Sequence, residues 1–188
     1  MKAIASAATE TLAELVASER LDQARLGLTP GRVQLSGREP MRLMALALCQ
    51  QARRQIRLFS QGFDPYSYSN LEFYQAVRTL VLRRPGPGLQ VILQDNEGVQ
   101  RKGHRLLDLA QRLSSGIQIY RPQLPEHRDH AENFLLVDGQ GYLFQPLHSR
   151  PQASAAFHDP AKARQLDRFF DQVRQYSEAD SQLRRLCI

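Results

Sequence analysis

The stretch His130-Ala131-Glu132-Asn133-Phe134-Leu135-Leu136-Val137-Asp138 decides how this chain is read. Phe134 to Asp138 and Tyr142 to Gln145 read as two short strands. Gly139-Gln140-Gly141 lies between them, the pattern of a hairpin. Side chains alternate faces along a strand with period two. Ala131 and Asn133 therefore share one face and His130 takes the other, unless a bulge intervenes.

Upstream of the hairpin, helix and strand signals alternate. Residues 32–36 read as a short strand. Residues 39–54 read as a helix with Met41, Met44, Ala45, Leu48 and Ala52 on one face, apolar nearly all round and so expected to be buried. A strand over 56–60, a helix to about Arg83 capped by Ser69 or Asn70, a strand over 89–93, a helix through Leu106 to Leu113 and a strand over 117–120 follow. Pro85-Gly86-Pro87-Gly88 and Gly116 close the two helices. Downstream, Asp159-Pro160 opens a long helix, Asp as N-cap and Pro as first helical residue, with Leu166, Phe169, Phe170 and Val173 inward. A short helix is expected from Asp180. This succession predicts an α/β fold: a mixed, largely parallel sheet with helices on both faces. Residues 1–25 read as a helix before the Thr29-Pro30-Gly31 break. We therefore expect an N-terminal helical extension over 1–30 and one domain over 31–188.

Composition narrows the function classes. Two cysteines, Cys49 in an apolar helix and Cys187 at the end, make neither a disulfide scaffold nor a spaced metal pair. Cys49 is expected to be a buried thiol. The longest apolar run, Met41 to Cys49, is interrupted by Arg42, so no membrane span is expected. The start of the chain has no leucine-rich secretory core, and a cytoplasmic location is expected. The net charge is +6, and the only lysines are Lys2, Lys102 and Lys162. Arginine offers a planar fork of donors suited to phosphate and to stacking on bases.

The apolar helix, the strand opening Arg54-Gln55-Ile56-Arg57-Leu58-Phe59-Ser60, two helix–strand units, Phe134 to Gly141 and the helix introduced by Phe157-His158-Asp159-Pro160 form a recognisable order. It resembles one half of a phospholipase D-like fold over about residues 38–176. That family carries His-x-Lys-x-x-x-x-Asp. Counted back from Asp138, the His position holds Ala131 and the Lys position holds Asn133. The family's Gly-Ser element falls on Gln145 and Pro146. In active members a histidine attacks phosphorus, a second histidine protonates the leaving group, lysines stabilise the phosphoryl charge and no metal is needed. Each half supplies one motif, so members pair two halves or dimerise. The resemblance therefore implies a single half with a degenerate motif. It points to a catalytically inactive binding or accessory module, a possible homodimer, rather than an enzyme. Asn133 in place of a cation removes a group worth on the order of a hundredfold in rate.

RNA or DNA is the expected partner, with another protein as the alternative, and no cofactor or metal is expected. The proposed phosphate contacts are Arg53, Arg54, Arg57, Arg101, Lys102 and Arg105, with His104 at a helix start framed by cations. Tyr66 and Tyr68, in an expected loop, are the candidates for base stacking. Were the chain a homodimeric phosphodiesterase or nuclease, its residues would be His130 in a bulged strand, Asp138 and His104. A third reading is a protein-interaction adaptor. His127, Asp129, His130 and Glu132 form a dense polar group, but their spacing matches no metal motif.

Overall fold

The computed structural model describes residues 10–83, 85–95 and 104–180. Among them, eight strands form one sheet in the order β1-β7-β6-β5-β2-β3-β4-β8. The strands are β1 (Arg32–Ser36), β2 (Ile56–Ser60), β3 (Leu89–Leu93), β4 (Ile117–Pro122), β5 (Asn133–Val137), β6 (Gly141–Gln145), β7 (Gln152–Ala156) and β8 (Ser177–Ala179). The helices are α1 (Leu12–Ala17), α2 (Arg38–Gln50), α3 (Pro65–Tyr68), α4 (Leu71–Arg83), α5 (Arg105–Arg112), α6 (Pro125–Arg128) and α7 (Pro160–Gln175).

The mixed α/β architecture is the one expected, with one adjustment. Only β2-β3-β4 run parallel; the other neighbouring pairs are antiparallel. The parallel core comes from the helix–strand units, whose crossovers return each strand in the same direction. The hairpin then continues into β7, which pairs with β1 at the edge.

Period-two alternation divides the core. Leu58, Val91, Leu135, Val137 and Leu143 face α2, α4 and α5. Phe59, Ile92, Phe134, Leu136 and Tyr142 face Ala163, Leu166, Phe170 and Val173 of α7. Helices thus cover both faces. Cys49 is a buried free thiol on α2, and burial pushes its pKa up.

The first segment departs from the expected single helix. α1 starts with a capping box in which Thr11 and Glu14 satisfy each other's backbone N–H groups. It ends at Ala17, and Glu19 then turns with φ of 59°. Leu12, Leu15 and Ala24 are buried in the same core cluster as α2. The Gln51 side chain ties this segment down: its Oε1 accepts from Leu26 N–H and its Nε2 donates to the Ala24 carbonyl, both at 2.9 Å. The expected helix from Asp180 lies outside the described residues.

Candidate functional site

The carboxyl ends of β2 and β3 and the amino end of β5 meet at one edge of the sheet. Ligands of open α/β sheets bind at such edges. A cavity of about 380 Å³ opens there on the α2 side. Its floor is Ser60, Asn133 and Gln145; its walls include Met41, Phe63, Tyr68 and Leu143; its rim carries Arg38, His148 and Ser149.

Asn133 closes the floor. Its Oδ1 accepts the Gln61 N–H at 2.9 Å, and its Nδ2 donates to Gln145 Oε1 at 3.4 Å. Gln145 in turn donates to the carbonyls of His148 and Arg150, at 3.2 and 2.6 Å, which shapes the loop after β6. The rim cation is matched: Arg38 Nη2 lies 2.7 Å from Asp64 Oδ1, and Ser67 Oγ donates to Asp64 Oδ2 at 2.7 Å. His148 comes from the loop after β6, where its N–H donates to the Ala131 carbonyl at 2.9 Å. Its ring has no hydrogen-bond partner among the described residues, so nothing there orients it as a nucleophile or base.

His130 lies across the sheet from this pocket. Its ring packs on Phe169 at 4.7 Å and edge-on to Phe59 at 5.6 Å, on the α7 side, and its Nε2 is 3.0 Å from Glu132 Oε2. His130 lies before β5, which pairs with β6 residue for residue from Asn133↔Gln145 to Val137↔Gly141. In this position the His130 ring faces α7 and not the pocket.

Asp138 sits at the opposite end of β5, about 17 Å from Asn133 at the usual rise per strand residue. Its carboxylate accepts three backbone N–H groups at 2.8 Å, those of Arg53, Arg54 and Gln55. It is a clamp on the loop before β2, not a group facing the pocket. His104 is the N-cap of α5. Its Nδ1 accepts from Leu106 N–H at 3.2 Å and its ring stacks on Phe63 at 4.6 Å. Burial lowers its pKa from 6.5 to about 4, so at neutral pH it is an uncharged capping group rather than a phosphate-binding cation.

Among the described residues, the expected basic residues do not share one surface. Arg53 and Arg54 are exposed at the Asp138 end. Arg105 is exposed at the pocket end, where its N–H reaches Ser69 Oγ at 3.4 Å. Arg101 and Lys102 lie outside the described residues. Arg57 is corrected outright: on the α7 face its guanidinium pairs with Asp167 at 2.8 Å and Asp171 at 3.1 Å, and lies 5.0 Å over the Phe170 ring. It is 12% exposed and cannot reach a polymer on the surface. Tyr68 is also corrected: it is buried against Phe73 on α3 rather than displayed in a loop. Tyr66 is exposed beneath Arg38, 4.8 Å from its ring centre. The polar group before the hairpin is split, since His127 is buried beside Phe169 and Tyr176. Gln94, at the end of β3, holds that loop by donating to the carbonyls of His127, Arg128 and His130. Among the described residues no cluster of three or more His, Cys, Asp or Glu side chains is placed to hold a metal. No helix among them is long and apolar enough to cross a membrane.

Sequence reasoning missed His148, Arg38, Asp64 and Gln145 as pocket residues. Only Gln145 carried a signal, its register with the motif; the others arrive through loops whose path no periodicity encodes.

This fold is shared by members of the phospholipase D family. Nuc from Salmonella typhimurium matches with a TM-score of 0.53 at 13% identity, over 79% of this chain and 98% of that one. NucT from Helicobacter pylori matches with a TM-score of 0.55 at 7% identity over the same shares. TrmBL2, an archaeal chromatin protein whose structure shows a novel mode of DNA binding, matches with a TM-score of 0.55 at 15% identity over 89% of this chain. This chain spans 58% of that protein's length. By sequence, residues 37–186 match the family described as Domain of unknown function (DUF7931), and the chain belongs to that family. No curated protein matches it in sequence.

Proposed function

We propose that this chain is a catalytically silent phospholipase D-like module that binds nucleic acid, RNA or DNA, as an accessory domain. The placement of Asn133 carries the silent half of the reading. It faces the pocket where the family resemblance puts a lysine, with Ala131 in the histidine position, while the His130 ring packs on the other side of the sheet. A phosphodiester in the pocket would meet no oriented imidazole and no ammonium. Three things support the nucleic-acid half: the charge of +6, its supply almost wholly as arginine, and the DNA binding of the chromatin protein that shares the fold. Arg105 stands beside the pocket rim and, with Arg101 and Lys102 just before it in sequence, is the proposed phosphate contact on this side. Arg53 and Arg54 are a second basic pair at the far end.

The test has two parts. Purified protein with a chelator is incubated with bis(p-nitrophenyl) phosphate, single-stranded DNA and RNA; no turnover is expected. Turnover abolished by His130→Ala or His148→Ala would overturn silence. Binding to single strands is then measured against salt, with an expected slope of about −0.7 per phosphate contact. Arg105→Glu should weaken all sequences alike, because phosphate contacts do not read bases. No binding at low salt would turn the reading toward a protein partner.

A further inference from the structure

We infer that the pocket over Asn133 receives a nucleobase of the bound strand and not its phosphate; this rests on the nucleic-acid reading above. Charge disfavours the phosphate first. Arg38, the guanidinium on the lining, is committed to Asp64, which Ser67 also engages. The formal charges of that pair cancel. An anion entering would give up water for groups with no surplus positive charge, an unfavourable exchange. A neutral heterocycle bears no such cost.

The donor and acceptor pattern fits the same ligand. The Asn133 amide uses one N–H on Gln145 and one lone pair on Gln61. An amide has two of each, so one N–H and one lone pair remain for a ligand. An amide donor and acceptor are what Asn and Gln present to the edge of a base. The Ser149 hydroxyl and the His148 ring, both on the rim, have no partner among the described residues. Phe63, Tyr68 and Leu143 supply apolar walls against which a flat ring can lie. The volume of about 380 Å³ is within the range of small-ligand sites. The rim also adjoins Arg105, through the stacking of its neighbour His104 on Phe63, so a strand whose phosphates contact Arg105 brings its bases to the pocket mouth.

The experiment titrates the full chain with adenosine, guanosine, cytidine and uridine, which carry no phosphate, and separately with inorganic phosphate. Binding is followed by calorimetry and by the imidazole NMR signals of His148. In parallel, a single-stranded octanucleotide is compared with an octamer of the same backbone that is abasic throughout. At least one nucleoside should bind and shift the His148 signals, phosphate should leave them unmoved, and the abasic octamer should bind at least tenfold more weakly. Asn133→Leu, which removes the amide, and Ser149→Trp, which fills the mouth from an exposed position, should each weaken nucleoside binding at least tenfold. Ser149→Trp keeps the test decisive should Asn133→Leu misfold. Equal binding of the two octamers with no nucleoside effect on His148 overturns the base pocket and leaves the nucleic-acid reading standing. Nucleoside binding without octamer binding does the reverse, failure of both removes both, and a His148 shift with phosphate alone overturns the inference.

Discussion

At the scale of single residues, Asp138 shows how a motif position is reused. With φ of 54° it opens the β5–β6 turn, followed by Gly139 at 68°. Asp and Gly tolerate this left-handed pair, which matches the twist of a hairpin. Its carboxylate then satisfies three N–H groups at the entrance to β2. Asp138→Ala should destabilise the protein by about 2–4 kcal/mol, since charged hydrogen bonds are lost and N–H groups are left unmet. Asp138→Asn, which keeps one oxygen and tolerates the turn, should cost clearly less; denaturant unfolding of both variants checks the order. His104 makes a pH-dependent contribution. The unfolded imidazole takes a proton near pH 6.5, whereas the buried ring resists until about pH 4. In that window the unfolded state binds more protons, so stability falls as pH falls from about 6.5 to 4. The loss should approach roughly 3 kcal/mol at the lower end. His104→Asn keeps an N-cap acceptor without the titration, and its melting temperature should drop less between pH 7 and pH 5 than that of the parent protein.

At the scale of elements, α7 is both a packing surface and an electrostatic partner of the sheet. Phe170 is fully buried against Phe134, while Phe169 lies half-buried at the edge with His130. Phe170→Ala should cost about 3–5 kcal/mol. Phe169→Ala should cost less, because part of its surface already meets water and the site can relax. Chemical denaturation of the two variants separates them; equal losses would mean that Phe169 is as much a core residue as Phe170. The same helix explains why Arg57 is no polymer contact. Asp167 and Asp171 sit one turn apart and both turn toward the guanidinium emerging from β2. A basic residue within a strand is aimed by the strand's alternation, and here that direction is inward.

For the molecule as a whole, the segment before the sheet packs into its core. Leu12, Leu15 and Ala24 belong to the α2-side core, and Leu26 fills space over Gly141, where any side chain would collide with it. Gly27 N–H also donates to the Phe157 carbonyl at 2.8 Å. Removing residues 1–30 uncovers the core surface that these side chains cover and strips the Gln51 side chain of its partners at Leu26 and Ala24. The truncated chain should melt at a markedly lower temperature or aggregate, as followed by thermal scanning and size-exclusion chromatography. An unchanged melting temperature would make the segment a separable extension, as the Pro30-Gly31 break by itself suggests.

The alternation of helical and strand periodicities was enough to read the parallel centre, the hairpin and the capped final helix, because each is set by local spacing and by caps and turns within a few residues. Period two was also enough to place His130 and Asn133 on opposite faces. The strand β7 was not legible: Gln-Ala-Ser-Ala-Ala has no β-branched or aromatic residue, and it is extended because its backbone pairs with β6 on one side and β1 on the other, with Ala153, Ala155 and Ala156 buried. Nor did the sequence reveal that Arg53 and Arg54 lie a strand's length from Arg105, or that His148 returns to Ala131. Such distances are fixed by which strand ends meet at an edge, and that follows from pairings between residues far apart in the chain, decided by the shared burial of the whole core rather than by any local pattern.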